Sequence, residues 1–528
     1  MAEEKKGHRG GELGGCCGHV GCGHGSRGGT SPLGLSALGA VAAAAGAAGA
    51  NLAWSALRAV APEGEAPPRR TLVVKPILTY PRPVRHPQTS WRNWGGMQND
   101  EDVQQEVARV KGELDKLKTT ADFPLQFLPL AVVRGTKELS AVPDVASADV
   151  LLAYAGGDGG GDMMGEVNLL EKWAKDTIFF VRHRSGPLYY WYEGAMARFL
   201  HQHSDFLATH TILPEDVVVD SMDEVLWRLR SLAGLYAMRG SRIVAIGGPR
   251  SWGWPVKKTL EQVGRLWKLD IRTVSYDQLK QLLRAARDDQ DAVRRARQRA
   301  DAYLKLPDTK LETERQFVDN AFLLEHVFRG LMRECDCRAI TVGQCMSTIM
   351  PISQTTACLT LSTLNDAGFL AFCESDFVVI PSGIMLANIS GRPTFLNDPT
   401  YPHDGIITLA HCTGPRKMDG KKLEPVRILT HFESDYGAAP KVEMSVGQKL
   451  TMIAPDFASK RWLGLSGEIA AHPFMPICRC QIDVRFKAPS EIVAERMPGF
   501  HWMVVYGDYL RETGYALRRV PIAWDCLG

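Results

Sequence analysis

From Leu72 onward the chain alternates short apolar runs with amphipathic stretches. Leu72–Leu78 reads as a strand. Between Asp102 and Leu117 the apolar residues Val103, Val107, Val110 and Leu114 recur at the spacing of one helix face. Asp149–Ala155 is apolar enough for a strand buried on both sides, and it runs into the Gly-rich loop 156–161. A helix over Met163–Ala174, a strand at Thr177–Val181, a helix over Tyr189–Gln202, a strand at Asp216–Asp220 and a helix over Met222–Met238 follow. A second unit opens at Arg242–Gly248. It continues with a helix at Val256–Leu266, a strand at Ile271–Ser275, long helices at Tyr276–Leu304 and Leu311–Cys335, and a strand at Ala339–Gly343. Repetition of strand, loop and helix predicts parallel sheets covered on both faces. Beyond Asp376 short strands are separated by polar turns, with few helical periods until Trp502–Leu517. The expected class is α/β: two Rossmann-like parallel-sheet domains, 71–240 and 241–385, then a β-rich C-terminal domain, 386–528.

Size and charge narrow the picture. A chain of 528 residues, 45% apolar and 23% charged, needs more than one core and has ordinary globular composition. A net charge of +3 leaves no electrostatic footprint for nucleic acid. The basic run Arg294–Arg299 belongs to a helical stretch interleaved with acids, the pattern of a solvated face. Of twelve cysteines, Cys16, Cys17 and Cys22 lie with His8, His19 and His24 in a Gly-rich N-terminal tract. The other nine are scattered from Cys335 onward, which suits reduced, buried thiols. Cys335/Cys337 and Cys478/Cys480 are C-x-C pairs, without the C-x-x-C spacing of a zinc motif.

Residues 1–70 are read as lying outside the fold. Leu33–Val60 is long enough to cross a bilayer, but Ala and Gly dominate it and insert weakly, so no stable membrane span is expected. A basic region before a small-residue apolar run resembles a twin-arginine export signal, yet the arginine pair is missing. A cytoplasmic protein is the expectation, with export as the alternative.

Candidate chemistry concentrates between Cys373 and Lys441. Glu374 and Asp376, the loop containing Asn397, Asp398, Tyr401, His403 and Asp404, then His411, and finally Asp435 and Tyr436 interleave carboxylates and imidazoles with turn residues. Hard oxygen ligands, a borderline nitrogen and many hydroxyl partners are what a metal-and-polyol site requires. Taken singly, each residue is equally explained by turn chemistry.

Two segments resemble the L-fucose isomerase and L-arabinose isomerase superfamily, whose members also place two α/β units before a β-rich domain. Cys373-Glu374-Ser375-Asp376, after Leu364–Gly368, is similar to that family's Cys/Thr-Glu-x-Asp segment. Gly499-Phe500-His501-Trp502 is similar to its late histidine segment, and His411-Cys412 to a His-Cys element near the pocket. The resemblance implies Asp376 and His501 as ligands of Mn²⁺ (or Mg²⁺), with Glu374 as the second carboxylate, and Glu374 and Asp376 as acid–base groups. Gln344, Asn397, Asp398, His403, Asp404, His411, Tyr436 and Trp502 are the candidate sugar-binding residues, and the resemblance implies a homo-oligomer acting on a small sugar. The implied reaction interconverts aldose and ketose through an enediol.

One departure stands out. The family places a second carboxylate, a Glu, well before the Asp, where this chain has neutral residues from Gln344 to Cys358. Gln344 can offer a carbonyl oxygen but takes no proton. A carbohydrate-binding relative that has lost this base is therefore the alternative, and a hydrolase using Asp398 and Asp404 a more distant third.

Overall fold

A computed structural model of the protein describes residues 66–157, 163–194 and 212–528. The expected N-terminal segment up to residue 65, most of the Gly-rich loop 156–161, and the helix beyond residue 194 lie outside the described residues.

The first sheet is parallel throughout. Leu72–Thr79 sits centrally, paired with Leu125–Phe127 and Ala131–Val133 along one edge and with Val150–Ala155 along the other; Asp176–Val181 and Val217–Val219 follow. Val150–Ala155 is buried at every position, as an uninterrupted apolar run in a doubly covered sheet should be. Beside it Arg182, fully buried, pairs with Glu106 at 2.5 Å and with Glu113 at 2.7 Å.

The second sheet is also parallel, in the order Leu370–Phe372, Ala339–Val342, Arg242–Ile246, Asp270–Val274. The helical stretch expected over Tyr276–Leu304 is two helices, Tyr276–Asp288 and Gln290–Leu304. Asp289 separates them because its carboxylate accepts from the backbone N–H groups of Asp291 and Ala292, an N-cap that starts a new helix.

The C-terminal region closes into a barrel of six antiparallel strands. Phe395–Pro399 pairs with Ile406–His411 and Trp502–Tyr506. Cys480–Arg485, Arg461–Ala471 and Lys449–Pro455 complete the circle, and Ala523–Cys526 adds a parallel strand to Arg461–Gly464. Closure leaves these six strands without the open edge that promotes aggregation. Trp502–Leu517 is not one helical period: Trp502–Tyr506 is a barrel strand, and a helix begins only at Leu510. A helix that periodicity did not indicate, Ile380–Ser390, is buried at all eleven positions. It packs against Met222–Met238, where a Cβ on Gly234 would strike Ile389, so the close approach depends on that glycine. Thr309–Leu311 joins a small sheet with the hairpin Val426–Leu429 and Ala439–Val442, tying the second α/β region to the barrel region.

Candidate active site

The carboxyl edge of the second sheet faces two strands of the barrel, and the candidate site lies where they meet. Open α/β sheets hold ligands at that edge. Past Ile246 and Phe372 the two loops continue side by side: Arg250 forms a parallel bridge with Asp376, its N–H donating to the Ser375 carbonyl at 2.9 Å, while Phe377 N–H donates back to Arg250 at 3.1 Å. Ser375 N–H is held by Thr341 Oγ1 at 3.1 Å. Glu374 and Ser375 both take left-handed backbone, φ 69° and 50°. Two consecutive non-glycine residues in that region store strain, a frequent mark of functional turns. Glu374 and Asp376 thus leave a tight turn, not a strand.

Asp376 and His501 are brought together, but as partners of each other. His501 Nδ1 lies 2.7 Å from Asp376 Oδ2, and both side chains are buried. Asp376 Oδ1 accepts from the backbone of Val378 at 3.0 Å and Trp252 at 3.2 Å, so both carboxylate oxygens are engaged by protein groups. Because an ionised carboxylate only accepts, His501 Nδ1 carries a proton and Nε2 points onward. Nε2 meets Asp398 Oδ1 at 3.3 Å. The strand Trp502–Tyr506 and its partner Phe395–Pro399 supply these two residues from the barrel. Gly499 sets the entry to His501: its φ is 69°, and a Cβ there would collide with the Pro455 carbonyl. Trp252 stacks on Phe500 at 4.8 Å and meets the His501 ring edge-on, walling the imidazole.

Electrostatics set these groups apart. Burial pushes Asp398 up to about 7, only partly opposed by His501, and its Oδ1 makes no hydrogen bond although buried. Burial also raises Glu374, with His501 opposing and the neighbouring Cys345, Cys478 and Asp376 adding to the rise. For His501, burial acts downward, but the Asp376 hydrogen bond and the charges of Asp398, Asp376 and Glu374 outweigh it and raise the imidazole. His411, at the end of strand Ile406–His411, is pushed down to about 3 by burial and by the imidazoles of His501 and His431, and stays neutral. Desolvated carboxyls beside a fixed imidazole are the arrangement that tunes acids and bases toward neutral pH.

One imidazole nitrogen and one carboxylate oxygen converge at one place in this array. A metal-bound imidazole normally donates its other N–H to a carboxylate, which is what His501 does with Asp376. That leaves Nε2 and Asp398 Oδ1, 3.3 Å apart, as two donors that a hard ion could share. Among the described residues, two further groups have donor atoms mutually within 4.8 Å: Cys373, Glu374 and His411, and Cys358, Cys412 and His431. Neither contains the expected trio Asp376, His501 and Glu374.

Other expected residues go elsewhere. Gln344 is exposed at φ 47° before the π-helical turn Cys345–Ile349, and its amide oxygen accepts from Thr348 at 3.3 Å. Asn397 and Trp502 are exposed by only 0% and 1%; Asn397 donates to the Phe395 carbonyl at 2.6 Å, while its Oδ1 and Trp502 Nε1 find no hydrogen-bond partner among the described residues. His403 and Asp404 pair with each other at 3.1 Å in an exposed turn. Tyr436 packs on Phe317, ring centres 4.4 Å apart, in a separate groove with Asp435 and Glu314. Arg416 is buried and spends its donors on the Glu424 and Pro307 carbonyls and Thr309 Oγ1.

Sequence reasoning missed a chain of thiols. Cys373, Cys345, Cys358, Cys412 and Cys478 are neighbours in that order, each perturbing the next, and Cys478 lies beside His431. Contact with Cys412, then burial acting against it, and the His431 imidazole together bring Cys478 down to about 6. Their sequence spacing carries no motif; only the fold assembles them. No protein-family model matches the chain, and no curated protein matches its sequence. Among the described residues no helix is long and apolar enough to cross a membrane.

Proposed function

We propose that the protein is a metal-assisted aldose–ketose isomerase acting on a small sugar. The observation that carries this reading is the line Asp376–His501–Asp398, with Glu374 at its flank, at the carboxyl edge of a parallel sheet. His501 Nε2 and Asp398 would hold Mn²⁺ or Mg²⁺, which, when bound, polarises the substrate's carbonyl and hydroxyl oxygens. Asp376 fixes the tautomer and direction of His501. Glu374, raised toward neutral pH by burial, takes the proton from the carbon beside the carbonyl and returns it to the neighbouring carbon. His411 stays neutral and offers hydrogen bonding to a substrate hydroxyl without adding charge. Trp252 and Phe500 supply an aromatic wall of the kind on which sugar faces stack.

The test is incubation of the purified chain with Mn²⁺ and a panel of pentoses, hexoses and deoxy sugars in D₂O. Isomer formation with solvent deuterium at C2 or C1 is expected from the wild type and lost in Glu374→Gln. No isomer and no exchange across the panel sinks the proposal. A second reading, a carbohydrate-binding relative without turnover, is favoured by one observation: the exposed Gln344 stands where the resembled family has its carboxylate. It predicts saturable sugar binding with no exchange. Sedimentation of the purified chain tests the homo-oligomer that the same resemblance implies.

A further inference from the structure

Four of the donors gathered behind the candidate active site make up a set that hard-ion sugar chemistry does not call for. Cys358, Cys412 and His431 have ligand atoms mutually within 4.8 Å and are exposed by only 2%, 2% and 6%. Cys478 neighbours both Cys412 and His431 but stands outside that mutual 4.8 Å group. His431 Nδ1 is buried without a hydrogen-bond partner. None of the three thiols is in a disulfide. We propose that Cys358, Cys412, Cys478 and His431 form a structural zinc site, distinct from the Asp398–His501 position.

Three thiolates and one imidazole are a recurrent closed tetrahedral set for Zn²⁺, and soft sulfur discriminates against Mn²⁺ and Mg²⁺. With Zn–S near 2.3 Å, tetrahedral donors stand about 3.7 Å apart, so Cys358, Cys412 and His431 close by at most about 1 Å on binding while the neighbouring Cys478 moves in as the fourth ligand. The scaffold is already tied together for this. Leu359 N–H donates to the Ala438 carbonyl at 3.2 Å, and Thr356 Oγ1 to the same carbonyl at 2.9 Å, joining the segment of Cys358 to that following His431. Arg479 Nε donates to the Thr430 carbonyl at 2.8 Å, joining Cys478 to His431. Asp435 N–H donates to the His431 carbonyl at 3.0 Å and His431 N–H to Tyr436 at 3.0 Å, closing the turn that presents the imidazole. The four ligands come from the start of helix Cys358–Asp366, the end of strand Ile406–His411, and two loops beside the barrel. An ion there pins the second α/β region to the barrel, close to His411, the neighbour of Cys412.

The experiment uses the full chain, purified with a non-thiol reductant, then loaded with Zn²⁺ or Co²⁺ and freed of excess by gel filtration. About one zinc per chain is expected, displaced by Co²⁺ with the intense thiolate-to-cobalt absorption and tetrahedral ligand-field bands of a sulfur-rich site. Cys412→Ser and His431→Ala should weaken retention by more than the ~10–100-fold that follows loss of a residue that only orients a ligand. Cys526→Ser, at the exposed C-terminal strand, and Asp398→Asn should keep the ion. If the ligand variants fail to fold, X-ray absorption of the wild-type cobalt form decides: three sulfurs and one nitrogen support the site. A reduced, folded wild type that retains no Zn²⁺ or Co²⁺, or holds cobalt through oxygen and nitrogen only, overturns it.

Discussion

Asp398→Asn should make the metal-free protein more stable at alkaline pH, an unusual result for deleting a charge beside a histidine. The carboxyl rises from 3.8 to about 7 on folding, mainly through burial. A shift of roughly three units corresponds to about 4 kcal/mol between protonation states. The side chain keeps 27% of its surface open, and solvent screening at that face brings the expected effect nearer 2–3 kcal/mol. The sign follows from proton counts. Between pH 4 and 7 the folded carboxyl binds more proton than the unfolded one, so wild-type stability falls as pH rises through that window. Asparagine carries no such penalty. Calorimetric scans in chelator should therefore show the two proteins melting close together near pH 4 and the variant melting higher above pH 7. At about 1–2 °C per kcal/mol for a chain of this size, the gap should be roughly 2–6 °C. A variant that melts lower at pH 8, or an offset that does not change with pH, refutes the claim that Asp398 is a desolvated carboxyl held beside His501.

Divalent ion binding should displace the proton from the same carboxyl, so Mn²⁺ affinity should weaken about tenfold per pH unit below 7. Paramagnetic resonance of free Mn²⁺ from pH 5 to 8 checks this, and a pH-independent affinity contradicts it. Asp376→Asn should lower kcat about 10–100-fold with little change in KM. It should also move the titration of His501 downward in the pH–rate profile, a shift that a mere loss of stability does not produce. Arg182→Met strips the buried Glu106 of its buried guanidinium, leaving it the half-exposed Arg109 at 3.1 Å as cationic partner, and should cost about 3–5 kcal/mol in urea unfolding; a loss under 1 kcal/mol would show that Arg109 suffices. Gln344→Glu should leave turnover within about twofold, since exposed substitutions are worth little. Activity appearing only in that variant would favour the binding-relative reading instead.

The alternation of apolar runs and amphipathic helices was enough to place the parallel sheets, because those strands are buried on both faces and their helices on one. Met222–Met238 begins at a serine whose hydroxyl accepts from Glu224 N–H, a signal written in the sequence. Ile380–Ser390 was invisible for the opposite reason: a helix buried all round has no polar face, hence no period to read. Trp502–Tyr506 is likewise apolar without alternation, and the turn that separates it from the next helix relies on Gly507 at φ 104°. In the candidate site, Asp376 and His501 lie 125 positions apart and only a family resemblance could pair them. The role of Asp398 depends on which strand of a closed barrel adjoins His501, and residue spacing does not encode strand order. His403 and Asp404 carry the same residue types as the site yet end in an exposed turn. Type and proximity in sequence marked the region, while burial decided which members act.

The two donor groups gain meaning from being adjacent but chemically unlike. Asp398 and His501 offer oxygen and nitrogen, whereas Cys358, Cys412 and Cys478 offer sulfur with a single imidazole. An ion that prefers hard ligands gains little from the second group, and a thiophilic ion satisfies itself there first. The link between them is covalent and short: His411 faces Cys373 and Glu374, and the next residue, Cys412, belongs to the cysteine–histidine group. Whatever fixes Cys412 therefore fixes the backbone of His411, and with it the wall opposite Glu374. If both proposals hold, a closed soft site behind an open hard site would let the chain hold one ion permanently for rigidity while exchanging another with substrate. The strained turn at Glu374 and Ser375 needs such support, since two left-handed residues persist only where their surroundings over-determine them. Loss of the thiol-bound ion should therefore reach catalysis through Glu374, lowering kcat before it unfolds the barrel.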